Sequence, residues 1–173
     1  DQVLIPALDK VGADFEAGRV FLPQLIQAAG AAQAAFEVVR EKLSSHTGQE
    51  TGKGPVVLAT VKGDIHDIGK NIVKVLLENY GYTVIDLGKD VDPAAVVRAA
   101  REFHAPLVGL SALMTTTLRS MEETIALLRQ EQVSCRVVVG GAVLTPEYAR
   151  QIGADFYARD AKESVDVARQ VIG

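Results

Sequence analysis

The 173 residues include a single cysteine, Cys135, so no disulfide can form within the chain, and the count fits a reducing cytoplasm. Cys135 opens an apolar run and reads as a small apolar residue rather than a reactive thiol. No apolar stretch approaches the length of a membrane span, and no signal peptide is visible. The formal charge of −4, with no long Lys/Arg cluster, argues against nucleic acid or an anionic membrane surface as a partner. The sequence begins at Asp1 without Met, in mid-pattern, and is read as a piece of a longer protein. What the chain does have is 48% hydrophobic residues, enough for the core of one medium domain, or of a small domain with a helical annex.

Residues 1–47 carry no strand pattern. Val3, Leu4, Ala7, Leu8 and Val11 have helical spacing, a turn follows at Glu16-Ala17-Gly18-Arg19, and a second helix is expected from Leu22 to Leu43 with Pro23 in its first turn. Two such helices cannot bury their apolar faces alone. The polar, glycine-rich stretch from Ser44 to Gly54 reads as a linker, placing a helical unit at 1–47, a linker at 48–54 and a second unit at 55–173. From Pro55 onward strands and helices alternate. Strands are expected at 55–61, 82–87, 106–111, 135–139 and 154–158, and helices at 69–79, 93–103, 118–130, 146–151 and 161–171. Five repeats of this length predict the α/β class: a five-stranded parallel sheet of flavodoxin-like, Rossmann-like form with helices on both faces. Right-handed crossovers bring the loops after the first, third and fourth strands to one edge of it.

Those three loops carry the chemistry. After the apolar run Pro55–Val61 comes Gly63-Asp64-Ile65-His66-Asp67-Ile68-Gly69-Lys70-Asn71, so a histidine sits between a strand and a helix, where open α/β sheets bind ligands. An imidazole that binds a metal as a neutral ligand needs an acceptor on its other nitrogen, and Asp64 is close enough in sequence to be that acceptor. Gly69 removes a side chain where a large group has to approach the backbone. The stretch imitates a phosphate loop and fails: five residues separate Gly63 from Gly69, and Asn71 stands where Ser or Thr should bind magnesium. Asp67 is read as a residue near the positive end of the next helix, and Lys70 as a solvated helix residue without a role. His46 in the linker and His104 near a helix end are read as solvated.

Asp64-x-His66-x-x-Gly69, Ser111-Ala112-Leu113 after the run Pro106–Leu110, and Gly140-Gly141 after Val137–Val139 together resemble the signature of the cobalamin-binding domains of the methionine synthase and corrinoid-protein family. The resemblance extends over essentially the whole chain. It implies that cobalamin, as methylcobalamin, binds base-off with His66 as the lower cobalt ligand and the only metal ligand. Asp64 then partners His66, and the surrounding Gly63, Ile65, Asp67, Ile68 and Gly69 contact the cofactor. The nucleotide tail would lie beside Ser111, Leu113, Thr115, Thr116, Gly140 and Gly141. The methionine synthase pattern has Ser where Thr117 stands, and there it extends the His–Asp chain. Here the hydroxyl survives with a methyl that restricts its rotamer. The Thr115-Thr116-Thr117 run is more similar to the methyltransferase corrinoid proteins, and one of its hydroxyls is also a candidate cap for the following helix.

Asp14–Leu25 is similar to the family's helical cap, whose bulky residues cover the methyl-bearing face of the corrin; Phe15, Phe21, Leu22 and Leu25 match in character. Phe21 and Leu22 are the first choices for that contact. The resemblance implies a methyl carrier without a complete active site of its own, acting with methyl-donor and methyl-acceptor modules and a reductive reactivation partner, with the linker as a hinge. The first expectation is the corrinoid module of a methionine synthase-like enzyme passing a methyl group from methyltetrahydrofolate to homocysteine. The alternative is a separate corrinoid protein of a methylamine, methanol or O-demethylase system, and less readily a cobalamin-based sensor. An adenosylcobalamin mutase shares the lower-ligand motif but usually lacks such a cap. A phosphoacceptor receiver domain has similar architecture but needs an Asp where Ser111 ends the third strand.

Overall fold

The computed structural model describes residues 4–44 and 52–173. His46 and residues 48–51 of the expected linker, with the hinge assigned to it, lie outside the described residues. Two helices come first, α1 (Leu4–Glu16) and α2 (Leu22–Ser44). They are followed by β1 (Pro55–Thr60), α3 (Ile68–Asn79), β2 (Thr83–Asp86), α4 (Pro93–Glu102) and β3 (Leu107–Ser111). A 3-10 turn at Thr115–Thr117 leads into α5 (Leu118–Gln130), then β4 (Arg136–Gly140), α6 (Pro146–Gln151), β5 (Phe156–Tyr157) and α7 (Ala161–Ile172).

The five strands form one parallel sheet in the order β2-β1-β3-β4-β5, the flavodoxin-like winding expected from the alternation. The chain leaves β1 toward β2 on one side and returns to β3 on the other, so the switch point lies between β1 and β3. The central strands are apolar on both faces because helices cover both. Val57, Ala59, Val108, Leu110, Val137 and Val139 pack with Val97 of α4 and Met121, Ile125 and Leu128 of α5. The alternate residues Val56, Leu58, Leu107 and Val138 pack on the other face with Leu77 of α3 and Val165 and Ala168 of α7. Cys135 is buried just before β4, and burial pushes its thiol pKa up, in keeping with the apolar reading.

Local chemistry starts the helices where the sequence permits. Asp92 accepts the Ala94 N–H ahead of Pro93, Thr145 accepts the Tyr148 N–H ahead of Pro146, and Asp160 accepts the Glu163 N–H. The last strand is shorter than the expected 154–158. Asp155 turns its carboxylate onto Arg129, Arg136 and the Val137 N–H, so the edge starts with side-chain bonds in place of a full ladder. The helical segment packs on the outside of α3: α1 lies on α2, α2 on α3, and Ala32 joins the α3/α7 core. Tyr80, at the end of α3, donates its hydroxyl to Asp9 of α1, and the Arg169 guanidinium of α7 lies 4.6 Å from its ring centre. Burial and then the Asp9 carboxylate push the Tyr80 pKa up.

Candidate functional site

The loops after β1, β3 and β4 meet at the carboxyl edge of the sheet, as the topology requires. The loop after β1 turns at Gly63, whose φ of +84° favours glycine, and places Asp64 where none of its surface is exposed. One carboxylate oxygen, Oδ1, accepts the His66 backbone N–H at 3.0 Å and lies 2.8 Å from His66 Nδ1. The other, Oδ2, accepts the N–H groups of Leu113 at 2.7 Å and Met114 at 3.2 Å, and the Thr117 hydroxyl at 3.0 Å. Burial alone would raise the Asp64 pKa. The donors from Leu113 and His66, helped by Thr117, outweigh it and hold the carboxyl well below the usual carboxylate range.

An ionised carboxylate can only accept, so Nδ1 carries a proton, and in the neutral imidazole Nε2 presents a lone pair. The His66 side chain is 44% exposed while its partner is fully buried. The ring is thus held by the protein through Nδ1 and is partly exposed. Thr117 has one hydroxyl hydrogen for two acceptors, Asp64 Oδ2 and the Met114 carbonyl at 2.8 Å, so the loop and the carboxylate compete for it.

Beside His66 a mostly apolar cleft of about 720 Å³ runs between α3, α7 and the sheet. Ile65, His66, Asp67, Ile68, Gly69, Ser111, Leu113, Gly140 and Gly141 line it as the sequence suggested. Gly141, at φ +142°, is forced to be glycine, because a Cβ there would lie 1.9 Å from the Ala112 carbonyl oxygen. At Gly69 an added Cβ meets nothing within 4 Å, so that glycine opens space toward the cleft. Ile65, Ile68 and Leu113 are exposed and surround His66 with apolar surface. Asp64 and Thr117 lie beneath the cleft, and Gly63, Thr115 and Thr116 do not line it.

The helical residues Phe15, Phe21, Leu22 and Leu25 do not line the cleft either. Phe21 is 68% exposed on a turn tied by Arg19 to Asp14 and by the Phe21 N–H to Gln24 Oε1, whereas Leu25 is buried. Asp67 occupies the start of α3 without a capping hydrogen bond from its side chain. Lys70 corrects an expectation: it is 4% exposed, not solvated, and its ammonium pairs with Asp86 Oδ1 at 2.5 Å and with Asn71. The Asp86 carboxyl is pushed up by burial, but Lys70, the Gly88 N–H and Lys74 hold it below its usual value. Sequence reasoning also missed Thr60, fully buried, whose hydroxyl lies 2.9 Å from that of Ser111. A single polar residue at the carboxyl end of an apolar strand was the available signal.

Fold and site together define a cofactor-binding α/β module that presents one carboxylate-held histidine beside an apolar slot. Among the described residues no three His, Cys, Asp or Glu side chains gather to hold a bare metal ion. Residues 54–168 match the B12 binding domain family, and residues 1–40 match a second family described as a B12 binding domain. The chain belongs to the B12-binding family and is a cobalamin-binding module of the methyltransferase corrinoid group. It is 42% identical to dimethylamine corrinoid protein 1 of Methanosarcina mazei, over 98% of this chain and 79% of that one. A cobalamin-binding protein of Desulfitobacterium hafniense superimposes with a TM-score of 0.82 at 35% identity, over 96% of this chain and 78% of that chain. The methanol:cobalamin methyltransferase complex MtaBC of Methanosarcina barkeri gives 0.84 at 30% identity, over 99% of this chain and 66% of that chain.

These relatives favour the separate corrinoid proteins and not the methionine synthase module that was the first expectation. A response-regulator receiver domain of Mycobacterium tuberculosis matches at 22% identity with a TM-score of 0.52, which shows shared fold alone. No helix among the described residues is long and apolar enough to cross a membrane. The residues present fit a cobalamin: the cleft is roomy and mostly apolar, its glycines keep side chains out, and the partly exposed His66 imidazole lines it.

Proposed function

We propose that this chain is a separate corrinoid protein that carries a methyl group between a methyltransferase acting on a methylated amine and a second, methyl-accepting one. The observation that carries the reading is the Asp64–His66 pair at the mouth of the cleft. The 42% identity to a dimethylamine corrinoid protein supports a methylamine as the donor class. In this reading His66 would be the residue that ligates the cobalt of a cobalamin, and Ser111, Gly140 and Gly141 would hold its nucleotide tail in the slot they line. Bound cobalamin supplies the cobalt chemistry that accepts and releases the methyl group.

The protein's residues supply the rest. Asp64 fixes the Nδ1–H tautomer and so keeps the Nε2 lone pair aimed outward. The carboxylate 2.8 Å from Nδ1 also fixes the plane of the ring. Thr117 tunes this by giving its one hydrogen either to Asp64 or to the Met114 carbonyl. Ile65, Ile68 and Leu113 line the cleft with His66 and would give an apolar cofactor surface to pack on. By the family resemblance the helical segment would act as a cap, with Phe21 and Leu22 the residues that would face the cofactor once the segment moves over the cleft, which they do not line here. Catalysis at the donor and acceptor belongs to separate partners, and a reductive partner restores the carrier.

The test is methyl transfer in a defined mixture. The cobalamin-loaded chain, kept reduced, is incubated with a dimethylamine-specific corrinoid methyltransferase and dimethylamine, and in parallel with methyltetrahydrofolate-dependent methionine synthase modules. Stoichiometric methylation in the first mixture alone supports the reading. Methylation only in the second overturns the choice of donor.

A further inference from the structure

Asp90 belongs to none of the sequence motifs and does not line the cleft. Its φ is 55°, in the left-handed region where a side-chain-bearing residue is uncommon and Asp or Asn is the usual exception. From there it holds two consecutive residues of the loop after β1. Its Oδ1 accepts the Gly63 N–H at 2.8 Å, and its own N–H donates to the Asp64 carbonyl at 2.9 Å. Lys62 Nζ stands 3.6 Å from the same Oδ1. On either side the Thr60 N–H donates to the Gly88 carbonyl and the Val91 N–H to the Thr60 carbonyl, each at 3.0 Å. Segment 88–91 thus runs clamped along 60–64, past the end of the β1–β2 ladder.

The clamp acts on the one residue whose orientation matters most. Two peptide groups fixed side by side set the direction in which the Asp64 side chain leaves the backbone. Asp64 Oδ1 in turn holds both the backbone and the ring of His66. A left-handed backbone lets the N–H and the carboxylate of Asp90 reach the same loop, which gives the unfavourable φ a use. As an exposed ion pair with Lys62 alone, Asp90 would contribute little.

We propose that Asp90 is a positioning residue for His66, aligning the imidazole for cobalamin by clamping the Gly63–Asp64 backbone. The inference rests on His66 being the lower ligand. It is tested with Asp90→Gly, which keeps the left-handed backbone free of strain and removes the carboxylate. Asp90→Asn keeps an acceptor oxygen and tolerates the same φ.

Methylcobalamin is titrated into the full chain in the dark, with dissociation constant and visible spectrum recorded. Asp90→Gly should bind about ten-fold more weakly with a smaller His-ligated fraction, the size expected for one hydrogen bond to a charged group. Asp90→Asn should return to within about three-fold of wild type, since a neutral acceptor retains part of that bond. In a His66→Ala background the Asp90→Gly penalty should vanish, because a residue acting through His66 has nothing left to position. An unchanged affinity and spectrum in Asp90→Gly, or an equal penalty in the His66→Ala background, overturns the proposal. Should wild type itself lack the His-ligated spectrum, the ligand assignment fails, and amide exchange in the cofactor-free chain decides the clamp separately. Faster exchange of the Gly63 and His66 amides in Asp90→Gly, restored in Asp90→Asn, supports it; unchanged exchange overturns it.

Discussion

Asp64→Asn removes a charge and turns one acceptor oxygen into a donor, at a residue with no exposed surface. If the amide nitrogen takes the place of Oδ2, it faces the Leu113 and Met114 N–H groups, which cannot turn away. Thr117 escapes by giving its hydrogen to the Met114 carbonyl. If the nitrogen takes the place of Oδ1, it faces the His66 backbone N–H and the ring, and the ring can respond only by moving its proton to Nε2. That tautomer cannot ligate. Two orphaned buried donors at ~1–3 kcal/mol each predict a loss of ~2–6 kcal/mol in the first arrangement, a large part of a typical domain's ~5–15 kcal/mol. Urea unfolding of the cofactor-free chain measures it.

The same substitution should change the acid response. The folded-state pKa of Asp64 is depressed from 3.8, so its contribution is fully present above that value and is lost as pH falls below it. Wild type should lose stability progressively below about pH 4, and Asp64→Asn should flatten part of that slope. Asp86 and Asp155, also depressed, retain the remainder. A loss under ~1 kcal/mol, with an unchanged acid slope, would refute the account of how Asp64 is held.

Two glycines in the cleft should differ in what they cost folding. Gly141→Ala puts a Cβ 1.9 Å from the Ala112 carbonyl oxygen at φ +142°, and should cost ~3 kcal/mol in urea unfolding and weaken cobalamin binding by more than ~100-fold. Gly69→Ala meets nothing within 4 Å and should leave folding within ~0.5 kcal/mol of wild type or slightly better, while still weakening binding, since Gly69 lines the cleft. Lys70→Met leaves Asp86 with Lys74 and the Gly88 N–H only, and should cost ~2–3 kcal/mol; adding Asp86→Leu should recover most of it.

The sheet was legible because β1, β3 and β4 are short apolar runs rich in β-branched residues and ended by turns, and α3, α4, α5 and α7 show a 3.6-residue stripe. The pairing of Asp64 with His66 was legible because two residues of separation put the carboxylate within reach of the imidazole, whereas its bonds to Leu113, Met114 and Thr117 come from a distant loop. Lys70 was not. Burying an ammonium depends on a carboxylate from β2, sixteen residues away, and local sequence cannot announce such a partner. Thr60 and Asp90 escaped for the same reason, since one bonds across strands to Ser111 and the other returns from the β2–α4 loop to Gly63. The four apolar cap residues were read as one group, yet Leu25 is buried while Phe21 stands exposed, a difference set by how α1 and α2 pack.

The central claim is that His66, held by Asp64, replaces the cofactor's own base on cobalt. Electron paramagnetic resonance of cob(II)alamin bound to chain labelled with nitrogen-15 histidine tests it most directly. A histidine ligand splits each cobalt line into a doublet from the spin-half nitrogen, and His66→Ala abolishes that doublet; this is the predicted result. A triplet from the unlabelled dimethylbenzimidazole nitrogen, the same in wild type and His66→Ala, would contradict the account.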